Sequence, residues 1–355
     1  MDTFQKKPMN STLFLSVKET RRQGVFLKRI GTLLCEGFSL KEAVSFLFTI
    51  ADDKQKNWLT SIEKSVYSGH HLHSALIQIG FSERVCTQIY LSTIHGRYSE
   101  TVRTAGEQLI VSAKRRKRIQ AIVQYPIMLI LFIIIMLFSM RFILMPHIQS
   151  IVSPDELSVG FGTKLIISTV YTAPYWIVGL LGFLSISFLL FQFMIKHLTV
   201  IEKLNMYCKN KLVSTYIQLY WTQFYAFEWS QLLKSNCSLI EIVHLLQKDE
   251  TSTLSREVGR HLEQEMRKGE SFQEALAGFG FLKFEIGEIV RHSELTGRLG
   301  SELMLYASEC EEELNQKIEN TMEKIQPIVF VVVALMIIAI YAALLLPTFS
   351  IMEGL

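Results

Sequence analysis

The sequence predicts an all-α protein built as a tandem repeat. A helical-bundle domain is followed by a transmembrane helix, twice over, with one extra transmembrane helix between the copies. Three observations predict it. The chain repeats an ordered series of short motifs at an offset that drifts only from 199 to 201 residues. Long apolar segments occupy residues 125–148, 165–195 and 325–350. Elsewhere apolar residues recur at three- and four-residue spacing, and no stretch alternates as a strand would.

The repeat dictates the topology. Ser39-Leu40-Lys41-Glu42 returns as Ser238-Leu239-Ile240-Glu241, Gly69 as Gly269, Ala75-Leu76 as Ala275-Leu276, and Gly80-Phe81 as Gly280-Phe281. Gly96-Arg97 returns as Gly297-Arg298, and Pro126 and Pro146 bracket the first apolar segment as Pro327 and Pro347 bracket the last. If both soluble domains face one compartment, the chain must cross back between them. The segment 165–195, free of Asp, Glu, Lys and Arg, supplies that crossing. Each segment exceeds the roughly 20 residues that span a hydrocarbon core of about 30 Å. Backbone groups in lipid must be paired internally, so each is read as a helix.

Taken in order, residues 1–24 are polar and mixed, lack a signal-peptide pattern, and read as an N-terminal arm, flexible or a short helix. In the first domain, 25–120, Ser39 with Glu42 forms a capping box and Gly69 fits a helix C-cap. A helix from about Glu100 to Gln124 leads into the span 125–148. Pro126 falls at the first turn of that span, where a missing N–H costs nothing, and Arg141 snorkels near its outer end. A loop, 149–164, joins it to the span 165–195, which Pro174 can kink. In the second domain, 196–324, Ser238 with Glu241 and Ser271 with Glu274 are capping boxes, and Gly269 is again a C-cap. After Gly297, the residues Leu299, Leu303, Tyr306, Cys310, Leu314, Ile318 and Met322 form one helical stripe. That helix leads to the span 325–350, with Pro327 at its first turn and no charge from Ile325 to Met352; residues 351–355 form a tail.

Basic residues set the orientation. Lys114-Arg115-Arg116-Lys117-Arg118 precedes the first span, and Lys196, Lys203, Lys209 and Lys211 follow the second. The positive-inside rule then places both soluble domains and the N-terminus in the cytoplasm, with the 149–164 loop and C-terminal tail outside, in a multi-pass protein of the cytoplasmic membrane. The basic run reads as topology and anionic-lipid contact. No aromatic residues are interleaved with it, so direct nucleic-acid binding is not expected.

Hydrophobic residues make up 49% of the chain and charged ones 19%, with a formal charge of +3, so the excess hydrophobicity sits in the spans. Five scattered cysteines form no CxxC pair and read as reduced small hydrophobes. His70, His71 and His73 have no acidic or cysteine partner at ligand spacing and read as a polar loop, so no metal and no cofactor is expected. No GxxxxGK[ST] loop occurs, no nucleophile–base arrangement stands out, and the last two spans carry no ionisable group. These absences argue against an enzyme or a pump.

The two-fold plan of helical domain plus membrane helix resembles the type II secretion F / type IV pilus PilC inner-membrane platform proteins. So do the proline opening each repeat's span and the turn His292-Ser293-Glu294-Leu295-Thr296-Gly297-Arg298-Leu299, which looks like that family's GE-x-x-G-x-L motif. The resemblance covers about residues 25–350. Ser293 stands where the family often has glycine, and the first copy keeps Gly96 but lacks the acid, having Thr93-Ile94-His95. The compact N-terminal region is most like the Gram-positive competence branch.

The resemblance implies a platform for building a pseudopilus, here for DNA uptake. Its partners would be a cytoplasmic hexameric secretion or pilus ATPase, prepilin-like proteins, the lipid bilayer, and further copies in a homo-oligomer. It singles out Gly96, Arg97, Glu294, Gly297 and Arg298 as a partner-contacting or domain-organising set. The platform of a type II protein secretion system or of another type IV pilus is the alternative within the family, and a membrane-anchored signalling scaffold the alternative outside it.

Overall fold

In the computed structural model the described residues are 16–139, 142, 179, 182–183, 185–187, 189–190 and 198–353, and all regular structure among them is helical. The chain divides into two compact units, residues 1–117 with 199–317, and residues 118–198 with 318–355. The first unit holds two helical bundles. The first bundle runs α1 (Val17–Cys35), α2 (Leu40–Phe48), α3 (Asp53–Tyr67), α4 (Leu72–Gln78), α5 (Glu83–His95) and the start of α6 (Tyr98–Ser139). The second runs α7 (Val200–Cys208), α8 (Lys211–Lys234), α9 (Leu239–Leu246), α10 (Thr253–Arg267), α11 (Phe272–Ala277), α12 (Glu285–Thr296) and the start of α13 (Leu299–Glu353).

Local chemistry sets the helix ends. Ser39, Ser238 and Ser271 each close a capping box with the glutamate three residues on, and Thr199 with Glu202 adds a fourth. The serine backbone N–H groups hold the Glu42, Glu241 and Glu274 carboxyls below their ordinary value. Gly69 and Gly269, at φ +78° and +94°, follow the ends of α3 and α10 in the left-handed conformation. Gly37 at φ +92° has its counterpart in Asn236 at φ +67°, asparagine being the other residue that visits this region readily. Helix α1 begins inside the segment expected to be an arm. Ser16 accepts the Glu19 N–H at 3.2 Å, and Thr20, Gln23 and Gly24 are buried.

The repeated motifs land on core positions. Ala75, Leu76 and Phe81 are buried in the first bundle, as are Ala275, Leu276 and Phe281 in the second. Trp58 meets Phe26 and Phe81 edge-on at 5.2 and 5.8 Å, while Trp229 meets Phe272 edge-on at 5.5 Å. In both bundles a glutamine donates to a glycine carbonyl, Gln23 to Gly80 at 3.2 Å and Gln218 to Gly280 at 3.0 Å. Helices α1 and α6 touch backbone to backbone. A Cβ on Gly31 would lie 2.2 Å from the Arg103 nitrogen, and one on Gly106 would lie 2.3 Å from the Lys28 nitrogen. At the position equivalent to Gly31 the second bundle has Ser230, whose hydroxyl donates to the Gly300 carbonyl. Of the α13 stripe, Leu303, Tyr306, Cys310 and Met322 are buried, and Leu299, Leu314 and Ile318 are half-buried.

Two expectations are corrected. Pro126 and Pro327 do not open helices: they lie in the interior of α6 and α13. The amphipathic and apolar stretches form one continuous helix in each copy, so each proline sits where it removes an i→i−4 bond. Likewise His73 is not in a polar loop but on α4, 1% exposed. Its ring stacks on His71 and meets Tyr90 edge-on at 5.1 Å, and burial pushes its pKa down. Among the described residues no group of three or more metal-ligating side chains is gathered.

Among the described residues no helix is long and apolar enough to cross a membrane. The loop 149–164 lies wholly outside the described residues, and most of 165–195, part of 125–148 and Pro146 lie outside them as well. Pro347 falls within α13.

Candidate functional site

The two bundles meet along α5, which serves both cores. Val85, Cys86 and Ile89 belong to the first core, and Leu91 belongs to the second, with Tyr90 and Ile94 packed against it. Polar contacts fix this seam at two places. At the start of α10, the Ser252 N–H donates to the Thr87 hydroxyl at 2.7 Å, and the Thr253 N–H donates to the Glu83 carboxylate at 3.0 Å. Both acceptors come from α5, so one bundle caps a helix of the other, and the Glu83 charge favours the positive end of the α10 dipole. Facing α8, the Arg84 guanidinium lies 3.9 Å from the Tyr220 ring centroid and 4.8 Å from that of Phe224, and donates to Gln223 at 2.8 Å. One turn beyond Phe224 is Glu228, 1% exposed, with neither carboxylate oxygen hydrogen-bonded. Burial pushes its pKa up to about 8, against a smaller downward pull from Arg84.

The residues singled out by the resemblance lie at the two helix corners. Gly96 ends α5 at φ +78° and Gly297 ends α12 at φ +66°, each accepting the left-handed conformation that turns the chain into a long helix. Arg97 and Arg298 are exposed. The Arg97 N–H donates to the His95 ring at 3.4 Å, and the Arg298 N–H to the Thr296 hydroxyl at 3.4 Å. The side chain of Glu294 lies outside the described residues. The acid seen to organise the second corner is Glu302, in the first turn of α13. It bonds the Thr296 hydroxyl at 2.7 Å, the Ser293 hydroxyl at 2.8 Å and His292 Nδ1 at 3.1 Å. Those bonds, that to Thr296 first, hold its carboxyl down to about 2. Ser293 thus uses its hydroxyl where the family often has glycine. The first copy has Thr101 at the position of Glu302, so this polar knot belongs to the second corner.

Glu302→Ala is expected to loosen the second corner, seen as faster amide exchange over residues 292–302. Because the Glu302 pKa is depressed in the fold, its contribution is present above the unfolded value of 4.5 and is lost as pH falls toward about 2. The parent should therefore lose the corner's protection across that window and the variant should not; equal acid profiles would show that Glu302 does not hold the corner.

Of the basic run, Arg115 donates to Asn315 Oδ1 on α13 at 2.5 Å, and Arg118 lies 3.9 Å from Glu319. Lys114, Arg116 and Lys117 are exposed. Sequence reasoning missed Arg84, Glu83, Thr87, Glu228 and Glu302. An acid in the first turn after a corner glycine is a legible signal for Glu302. The seam residues are set by tertiary packing and carry none.

A two-bundle helical protein with matched glycine corners is what these elements define, and the chain belongs to the type II secretion system (T2SS), protein F family, matched at residues 26–146 and again at 225–347. It is similar to the ComG operon protein 2 homolog of Halalkalibacterium halodurans, 24% identical over 319 residues, covering 90% of this chain and 98% of that protein. It is also similar to ComG operon protein 2 of Bacillus subtilis, 21% identical over 317 residues, covering 89% of this chain and 98% of that protein. The family named from the sequence therefore stands.

Proposed function

We propose that this protein is the membrane platform on which a competence pseudopilus is assembled for DNA uptake, coupling a cytoplasmic secretion ATPase to the extrusion of prepilin-like subunits. Family membership, with relatives of matching length that are ComG operon proteins, carries this reading. The recurrence of motifs supports it too. A capping box, a corner glycine and core motifs recur in the same order in both bundles. In this reading α6 and α13 enter the bilayer, and 165–195 is the returning span. Ile127, Met128, Leu131, Phe132 and Ile135 on α6 are more than half exposed, as are Ile328, Val331, Leu335, Ile338 and Tyr341 on α13. Apolar surface of that extent favours lipid over water. Both bundles then face the cytoplasm, and the exposed Arg97 and Arg298 with the corner glycines are the surface offered to partners. The protein itself is non-catalytic and works as an oligomer.

Crosslinking in intact cells, purification from membranes and mass spectrometry test this reading. Recovery of a secretion-type ATPase and prepilin-like proteins is the expected result. Their absence, with good yield and working crosslinking controls, would favour a membrane-anchored signalling scaffold. Recovery of the proteins of a protein-secretion system would move the platform to that system.

A further inference from the structure

We propose that the seam between α5 and α8 is a proton-operated latch, closed while Glu228 carries a proton and released when its carboxylate ionises. Helix α5 packs against α8, and a stripe of residues runs along each. Tyr220, Phe224 and Glu228 succeed one another at four-residue spacing on α8. Arg84, Gln88 and Leu91 do so at four and three residues on α5. Arg84 is engaged with the first two members of the α8 stripe and with Gln223, and the third member, Glu228, is left without a hydrogen-bond partner. A buried neutral carboxyl is tolerable there. A buried carboxylate is not, because no donor satisfies it. On ionising it must be reached by water, because Arg84 is already committed to Tyr220, Phe224 and Gln223. Admitting water there parts α5 from α8, and with it the caps that Glu83 and Thr87 place on α10.

The surrounding charges leave Glu228 in this position. Helix α5 brings Glu83 and Arg84, α7 brings Glu202 and Lys203, and α9 brings Glu241 and His244. Helix α10 brings Arg256, Glu257 and Arg260, α13 brings Glu302, and α8 itself carries Lys211 and Lys234. Of these, Arg84 is the group that bears on the Glu228 charge, and it favours ionisation without pairing. The sign follows. The closed seam keeps the proton up to about pH 8, whereas an exposed glutamate gives it up near 4.5. Opening therefore becomes about tenfold more frequent per unit of pH between those values and levels off above them. His73 acts in the opposite sense, its buried neutral ring favouring the closed fold above its unfolded value of 6.5. The range from pH 6.5 to 8 accordingly reads Glu228 without His73.

The test is hydrogen exchange of the full-length protein in detergent micelles, normalised to the intrinsic rate at each pH. Segments 83–95 and 252–256 report the seam, and α3 is the internal reference. Exchange at the seam is expected to rise roughly fifteenfold from pH 6.5 to 8 while α3 stays level. In Glu228→Gln the seam should be flat across this range. In Arg84→Gln, which keeps Glu228 but removes the nearby positive charge, the rise should continue beyond pH 8. A flat parent overturns the latch, as does a rise that survives Glu228→Gln or an equal rise in α3. If Glu228→Gln does not accumulate, an Arg84→Gln rise that ends at the parent's pH overturns it instead.

Discussion

Gly31→Ala is expected to cost the fold about 3 kcal/mol, seen as a lower melting temperature and reduced yield of the full-length protein in detergent. The added methyl would sit 2.2 Å from the Arg103 nitrogen and 2.4 Å from its Cα. Those atoms belong to the backbone of α6 and cannot rotate away, so the two helices must separate or bend. Alanine's better helix propensity returns about 1 kcal/mol at most. Gly106→Ala should behave alike, its methyl meeting the Lys28 backbone at 2.3 Å. Gly37→Ala is the control. Nothing lies within 4 Å of its Cβ position, and its φ of +92° leaves a local strain of about 1–2 kcal/mol. Melting of Gly31→Ala at or above the parent temperature would mean that α1 and α6 do not pack through these glycines.

On the proposed platform role, Arg84→Ala is expected to lower fibre assembly and transformation at least tenfold while the protein still reaches the membrane at the parent level. It removes a charge-assisted hydrogen bond worth about 2 kcal/mol and a stacked cation worth about 1 kcal/mol from the joint between the bundles. Arg84→Lys should recover part of the loss. A lysine keeps the charge but not the planar face that lies over Tyr220 and Phe224. Parent-level transformation in Arg84→Ala would show that the joint can slacken without harm to the machine. Loss of the protein itself, read by immunoblot, would instead assign Arg84 to stability.

Much of the helical plan was legible because its signals are local. Ser39, Ser238 and Ser271 announce helix starts through a glutamate three residues away, and the glycines at 69, 96, 269 and 297 mark ends through a backbone conformation that other residues resist. The long stripe from Leu299 to Met322 is legible for the same reason, being a periodicity of one element. The joint was not legible. Arg84 and Thr87 on α5 are far in sequence from Glu228 and Ser252, and only the packing of α5 against the second bundle brings them together. Glu302, five residues past Gly297, ties the corner together and lies outside the motif from which Glu294 was chosen. The histidine run shows the limit of composition: three histidines within four residues suggest a loop, yet His73 is held inside by Tyr90 and His71. The proline expectation failed because the soluble and apolar stretches were read as separate helices meeting at a boundary. The chain makes them one.

That continuity has a mechanical meaning. Pro126 follows Tyr98 by 28 residues, and Pro327 follows Leu299 by the same 28. At 1.5 Å per residue each stretch is a rod of about 42 Å. Each proline deprives the carbonyl one turn back, on Ile122 and Glu323, of its helical donor. The two stretches thus place the missing backbone bond at the same count of residues from the glycine corner, so the two long helices share the position of their weakest turn.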